Sequence, residues 1–304
     1  MIRNFEEIYA RVKSLPLRKV AVAAAEDEPV LEAVDHAKKE KIADAVLVGD
    51  EEKIREIAAN LNIDLEGTEI IDEKNPAEAA LICAKLVSSG KADMMMKGMI
   101  DTKNFLRAVL NKEFGLRTGR LITHVGVFDI PAYDRLLFIT DSAFTMYPNL
   151  DQKVQIIENA VDLAHSLGIE DPKVAPVCAV EVVNPDMPAT VDAAALTEMN
   201  EKGEIKGCTV YGPLAMDNAL DEEAARHKKI DNPVAGHADI FMMANIEAGN
   251  GVYKTLTFCV KDEKHGGILM GAAAPVIVTS RADSFMSKVN SIALASLAAS
   301  GDKK

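Results

Sequence analysis

The sequence contains no tryptophan, and aromatic residues make up 5% of it. That leaves little with which to stack nucleic-acid bases. Positive charge is also short. Lys and Arg number 34 against 47 Asp and Glu, a formal net charge of −13 over 304 residues, with a pI of about 5.0. Binding a phosphate backbone requires a basic surface, so nucleic acid is excluded as a general partner, whereas a local basic pocket for one small anion is not. No apolar run is long enough to cross a bilayer. The opening stretch MIRNFEEIYARVKS carries acidic residues at helical spacing and does not read as a secretory signal, so a cytoplasmic location and no membrane partner are expected. Cysteines number four, Cys83, Cys178, Cys208 and Cys259, widely spaced in apolar segments. Buried reduced thiols are expected there, rather than disulfides, a zinc site or a nucleophile. The six histidines show no HExxH-type spacing, and no metal site is expected.

Familiar site motifs are missing too. No GxGxxG follows the first strand, no GxSxG elbow occurs, and no Gly-Lys-Ser/Thr phosphate loop is present. What remains is a chain 48% hydrophobic with a mean hydropathy of +0.03. It can bury a large core, and its length suits two domains. Short apolar runs alternate with helical patterns: KVAVAAA at 19–25, Ala45–Val48, Glu69–Ile71 and ADMMM at 92–96 are strands, each separated by an amphipathic stretch. This rhythm predicts a parallel or mixed α/β sheet with helices on both faces. Leu121–Phe128 and Arg135–Thr140, joined by Asp129-Ile130-Pro131-Ala132, read as an antiparallel pair that breaks the rhythm. Two α/β domains are therefore expected, residues 1–128 plus 272–304 and residues 129–271, and a cleft between them would follow only from that fold class. In the second, Lys173–Val180, Gly207–Tyr211 and Asp239–Ala244 are strands, and one helix runs from Asp217 through Arg226.

The stretch PVIVTSRADSFMSK, 275–288, carries the most chemistry. Val276, Ile277 and Val278 form a buried strand, and Phe285, Val289, Ile292 and Leu297 recur at helical spacing. Ser280, Arg281 and Asp283 thus fall where a strand end turns into a helix, a place that favours anions in open α/β sheets. The plain alternative is a Ser or Asp helix cap beside a surface arginine. A second anion cradle is read at Lys97-Gly98, with Thr102 and Arg107 on the helix that follows. Met94, Met95, Met96 and Met99 read first as flexible core filler, with an acyl pocket as the sharper alternative. Gly115–Arg120 is a basic loop in an acidic protein. Other strand ends place Glu26, Asp141 and Asn245 at the same edge.

Several of these blocks resemble the phosphate acetyl/butyryltransferase family. They are KGMIDTKNFLRAVLNKEFGLRTG, DSAFTMYPNLDQK, GPLAMDNAL, ADIFMMANIEAGNGVYK and MGAAAPVIVTSRADS, which together span nearly the whole chain in the family's order. TSRADS and KGMIDT are similar to the butyryl-type forms. The resemblance implies two α/β domains similar to the isocitrate and isopropylmalate dehydrogenases, and a homo-oligomer, dimer or higher. It implies acyl transfer between butyryl-CoA, or a similar short acyl-CoA, and inorganic phosphate, with coenzyme A as co-substrate and no tightly bound cofactor. On that reading Ser280, Arg281 and Asp283 are catalytic: Arg281 with Arg107 for the phosphate, Ser280 for the oxyanion by hydroxyl or backbone N–H, and Asp283 for the thiol proton. Lys97, Gly98, Thr102, Arg107, Asp141 and Asn245 bind substrate, and Arg117 and Arg120 meet the CoA phosphates, as Lys97 also can. Acetyl-type members place an aspartate base near the position of Ser287 here. Rival readings are a phosphate acetyltransferase, an isocitrate-like dehydrogenase, and a non-catalytic CoA or acyl-phosphate binder. Cys178 or Cys208 as an acyl carrier is a minor variant.

Overall fold

A computed structural model describes residues 1–280 and 283–300. The chain divides into two compact units, Phe5–Arg120 with His265–Lys304, and Met1–Asn4 with Leu121–Lys264. These breaks fall a few residues before the expected 128/129 and 271/272.

The first unit begins with α1 (Phe5–Lys13), β1 (Lys19–Ala23), α2 (Glu28–Lys39), β2 (Asp44–Gly49), α3 (Glu51–Asn60), β3 (Glu69–Asp72), α4 (Pro76–Ser88), β4 (Met94–Lys97) and α5 (Thr102–Val109). Each helix start has a physical cause. Asp27, Asp50, Asn75 and Asp101 turn a side-chain oxygen onto an N–H of the first turn of α2, α3, α4 and α5. Proline occupies the first turn of α2 and α4, where no N–H is needed.

The second unit comprises β5 (Thr123–Asp129), β6 (Leu137–Thr140), α6 (Leu150–Ser166), β7 (Lys173–Val177), α7 (Pro188–Glu201), β8 (Thr209–Val210), α8 (Met216–Leu220), α9 (Glu222–His227), β9 (Ile240–Met243) and α10 (Ile246–Cys259). Its strands lie in the order β5-β6-β9-β7-β8. As expected, β5 and β6 are antiparallel; the remaining pairs are parallel. The single helix expected over 217–226 is two, because Asp221 caps α9 through the Ala224 N–H.

The chain returns to the first unit with β10 (Lys264–Met270), β11 (Val276–Ile277) and α11 (Phe285–Ala298). Strand order there is β3-β2-β1-β4-β11-β10, parallel from β3 to β11 with β10 antiparallel at the end. Strand β10 was not among the strands expected from sequence. Gly266 is there because a Cβ would overlap the α11 backbone at Asn290 and Ser291. Helix α11 is buried on every side from Ser287 to Leu297. Its polar groups are satisfied internally: Asn290 donates to the His265 carbonyl and Ser296 to that of Ile42.

Met94, Met95 and Met96 are fully buried between β1 and β11, which favours core filler over an acyl pocket, whereas Met99 is 49% exposed. Truncation of Met95 to Ala should cost about 2–5 kcal/mol, read as a lowered urea midpoint with unchanged slope.

Candidate active site

Three strand ends of the first unit converge. Beyond β1, Ala24 takes a positive φ of 53° and the Ala25 N–H donates to the Val48 carbonyl at 3.2 Å. Beyond β4, the Gly98 N–H donates to the Ala23 carbonyl at 2.9 Å, and the Met99 N–H to that of Ala24 at 2.7 Å. Gly98 has to be glycine: a Cβ would lie against the Ala23 and Ala24 carbonyl oxygens. Beyond β11 come Thr279 and Ser280. Together these ends line a cavity of about 490 Å³ with Glu26, Asp27, Lys97, Gly98, Met99, Thr279, Ser280 and Lys288 on its walls. Of the residues expected from sequence, Lys97, Gly98 and Ser280 are thus brought together. Arg281 lies outside the described residues.

Asp283 is held by the backbone. Its Oδ2 accepts the Ser280 N–H at 2.7 Å, and its own N–H donates to the Ser280 carbonyl at 3.1 Å. The Ser280 N–H is therefore already used. The cap of α11 is Ser284, through the Ser287 N–H at 3.1 Å, and not Ser280 or Asp283.

The cavity also holds a group that sequence pattern alone passed over. Lys288, 3% exposed, donates to the carbonyl of Asp283 at 2.8 Å and to that of Ser280 at 3.5 Å. Burial holds its ammonium below the usual lysine range, opposed by the negative charges of Asp283 and Asp27. The available signal was its place at the foot of a helix with no charged face beyond it.

The other expected residues stand elsewhere. Thr102 and Arg107 line a separate depression beside α5, where exposed Arg107 donates to Asn104 at 3.4 Å. Arg117 and Arg120 are exposed on the 115–120 loop. In the second unit, Asp141 is 3% exposed. Its two oxygens accept the N–H groups of Ala143, Phe144 and Thr145 and the Thr145 hydroxyl, at 2.9–3.1 Å. Asn245 caps α10 through the Ala248 N–H at 3.0 Å. Both side chains are committed to local backbone.

Cysteine burial is uneven. Cys83 is buried, Cys178 and Cys208 partly so, and Cys259 is exposed at the end of α10, against the expectation of four buried thiols. Burial is the main cause that pushes the Cys178 thiol up to about 11 and Cys208 up to about 12. Neither is poised to form a thiolate near neutral pH. No helix is long and apolar enough to cross a membrane among the described residues.

Comparison with known proteins fits this arrangement. The family model described as Phosphate acetyl/butaryl transferase matches residues 4–81 and 73–296. The chain is 59% identical to the phosphate butyryltransferase of Clostridium acetobutylicum over 98% of its own length and 99% of that protein. It is 46% identical to the phosphate acetyltransferase of Thermotoga maritima, over 92% and 95%. Its fold matches a branched-chain phosphotransacylase from Enterococcus faecalis V583 with a TM-score of 0.83 and 32% identity, covering 93% of this chain and 99% of that one. With matches that run nearly end to end, and with Lys97-Gly98 and Thr279-Ser280 meeting at one cavity, the chain belongs to the phosphate acetyl/butyryl transferase family.

Proposed function

We propose that this protein moves a short acyl group, butyryl by preference, between CoA and inorganic phosphate: butyryl-CoA plus phosphate gives butyryl phosphate plus CoA. The transfer is direct, within a ternary complex, and coenzyme A is a co-substrate rather than a bound cofactor. The protein works in the cytoplasm as a homo-oligomer, dimer or higher. The observation that carries the reading is the meeting of Lys97-Gly98 with Thr279-Ser280 at one cavity, in a chain so similar to a phosphate butyryltransferase.

The chemistry asks for few parts. Phosphate is a dianion that attacks a thioester carbonyl, so cations must hold it beside a donor for the developing oxyanion. Lys97 and Arg281 supply the charge, the latter on the strength of the sequence block alone. The Ser280 hydroxyl is the oxyanion donor. Lys288, bonded to the carbonyls on either side of Arg281 and Ala282 in sequence, ties the turn to α11. Asp283 acts as a positioning residue that closes the same turn.

Phosphate-dependent release of thiol from a series of acyl-CoAs, without NAD or added metal, tests the reading; butyryl-CoA should give the highest kcat/KM. A higher value for acetyl-CoA makes the enzyme an acetyltransferase, and an NAD requirement removes the reading altogether. Loss of the guanidinium in Arg281→Ala should lower turnover about 100-fold with the fold intact; a near wild-type rate would make Arg281 a surface charge. For Asp283, the acceptor matters rather than the charge. Asp283→Asn should keep turnover within about threefold of wild type while Asp283→Ala loses about tenfold, the worth of one charge-assisted hydrogen bond. Equal large losses in both variants would instead point to proton transfer by Asp283.

A further inference from the structure

The acyl-phosphate-to-CoA direction requires a group that takes the proton of the CoA thiol, and three carboxylates at strand ends compete for that task. Two of them already hold backbone in place. Asp283 Oδ2 is bonded to the Ser280 N–H, and Asp141 accepts four donors from its own loop. Glu26 differs. Its Oε2 is buried, and no hydrogen-bond donor reaches it among the described residues. Room for this oxygen is built in: a Cβ on Gly49, at the end of β2, would overlap Oε2. Neighbouring acids are otherwise employed. Asp27 caps α2 through the Val30 N–H, and Glu28 lies in that helix's exposed first turn. Glu26 lines the cavity that also holds Lys97, Gly98, Ser280 and Lys288.

A polar atom taken out of water with no partner costs free energy, and such groups in native structures call for an explanation. We infer that Glu26 is the general base of the transfer, an assignment that rests on the proposed acyl-transfer reading. In the step, the Glu26 carboxylate takes the thiol proton as the sulfur attacks the carbonyl carbon of the acyl phosphate and the C–S bond forms. The tetrahedral intermediate then collapses with cleavage of the bond between the acyl carbon and the phosphate oxygen. The leaving phosphate oxygen recovers the proton from Glu26, so acyl phosphate dianion and thiol become thioester and hydrogen phosphate dianion. No oxidant, metal or covalent enzyme intermediate enters the balance. The charged groups that line the cavity with Glu26 are Asp27, Glu28, Lys97 and Lys288.

The full-length enzyme carrying Glu26→Gln, assayed with butyryl phosphate and CoA across pH 5–9, tests the assignment. The expected result is a fall in kcat of about 100-fold or more, a KM for CoA within about threefold of wild type, and loss of the acidic limb of the pH–rate profile. Glu26→Asp, which retains the carboxylate one methylene further back, should recover part of the rate and restore that limb. It also serves as the deciding variant if the amide does not fold. A folded Glu26→Gln enzyme with wild-type kcat and both pH limbs overturns the assignment while leaving acyl transfer standing, as does a folded Glu26→Asp enzyme whose rate is unchanged. A wild-type protein that turns over neither butyryl phosphate with CoA nor butyryl-CoA with phosphate fails at the earlier reading instead.

Discussion

The close approach of Gly98 to the end of β1 is the constraint on which the site depends. Two consecutive N–H groups, of Gly98 and Met99, bond to two consecutive carbonyls, of Ala23 and Ala24. This locks the loop after β4 onto the loop after β1 and leaves no space for a side chain at residue 98. One consequence is that Lys97 and Glu26, separated in sequence by α2, β2, α3, β3 and α4, line the same cavity. Because β11 is parallel to β4, with Ile277 opposite Met96, the Thr279-Ser280 segment is delivered to that edge as well. Parallel pairing therefore gathers residues distant in sequence onto one carboxyl edge, which is why ligands of such sheets are found there.

The cavity sets two lysines, Lys97 and Lys288, among three acidic residues, Glu26, Asp27 and Glu28, in a protein whose net charge is −13. Lys288 shows how this is sustained. A buried ammonium is costly unless its protons find acceptors, and the carbonyls of Asp283 and Ser280 provide them. These acceptors are dipoles rather than full charges, so burial still outweighs them and the ammonium is held below its usual range. An arriving dianion would supply the missing negative charge. Asp141, whose two oxygens accept four donors from its own loop, behaves in the opposite way: a loop held in shape by a carboxylate cannot release that carboxylate cheaply for proton transfer.

The alternation of strands and helices was legible in the sequence because the strands of a parallel sheet are continuous apolar runs, KVAVA at β1 and IFMM at β9 among them. Strand β10 was not, because Gly266 answers to packing against α11, which no local pattern encodes. At the site, the chemistry-bearing blocks were legible as motifs, whereas the use made of each side chain was not. Asp141 and Asn245 carry the right groups at the right edge and spend them on backbone. Arg107 sits on the exposed side of α5, beside a different depression from that of Lys97. Lys288 was not among the residues expected from sequence, and its place became visible only in a helix buried on every side from Ser287 to Leu297. Residue type and spacing report what a side chain can do; its hydrogen-bond partners decide what remains available.

The same distinction bears on how the acyl group travels. A two-step route through a cysteine would need a thiolate at neutral pH, supplied by a nearby cation or helix N-terminus. Cys178 and Cys208 are the partly buried thiols nearest strand ends, and in both burial favours the neutral form. At Cys178 the positive charge of Lys153 pulls the other way, but that ammonium is committed to Asp192 at 2.6 Å, and the carboxylate offsets it. Direct attack needs no protein nucleophile. It needs a held dianion, a donor for the oxyanion and a place for one proton, and the cavity of the first unit offers Lys97, the Ser280 hydroxyl and a carboxylate with an unclaimed oxygen.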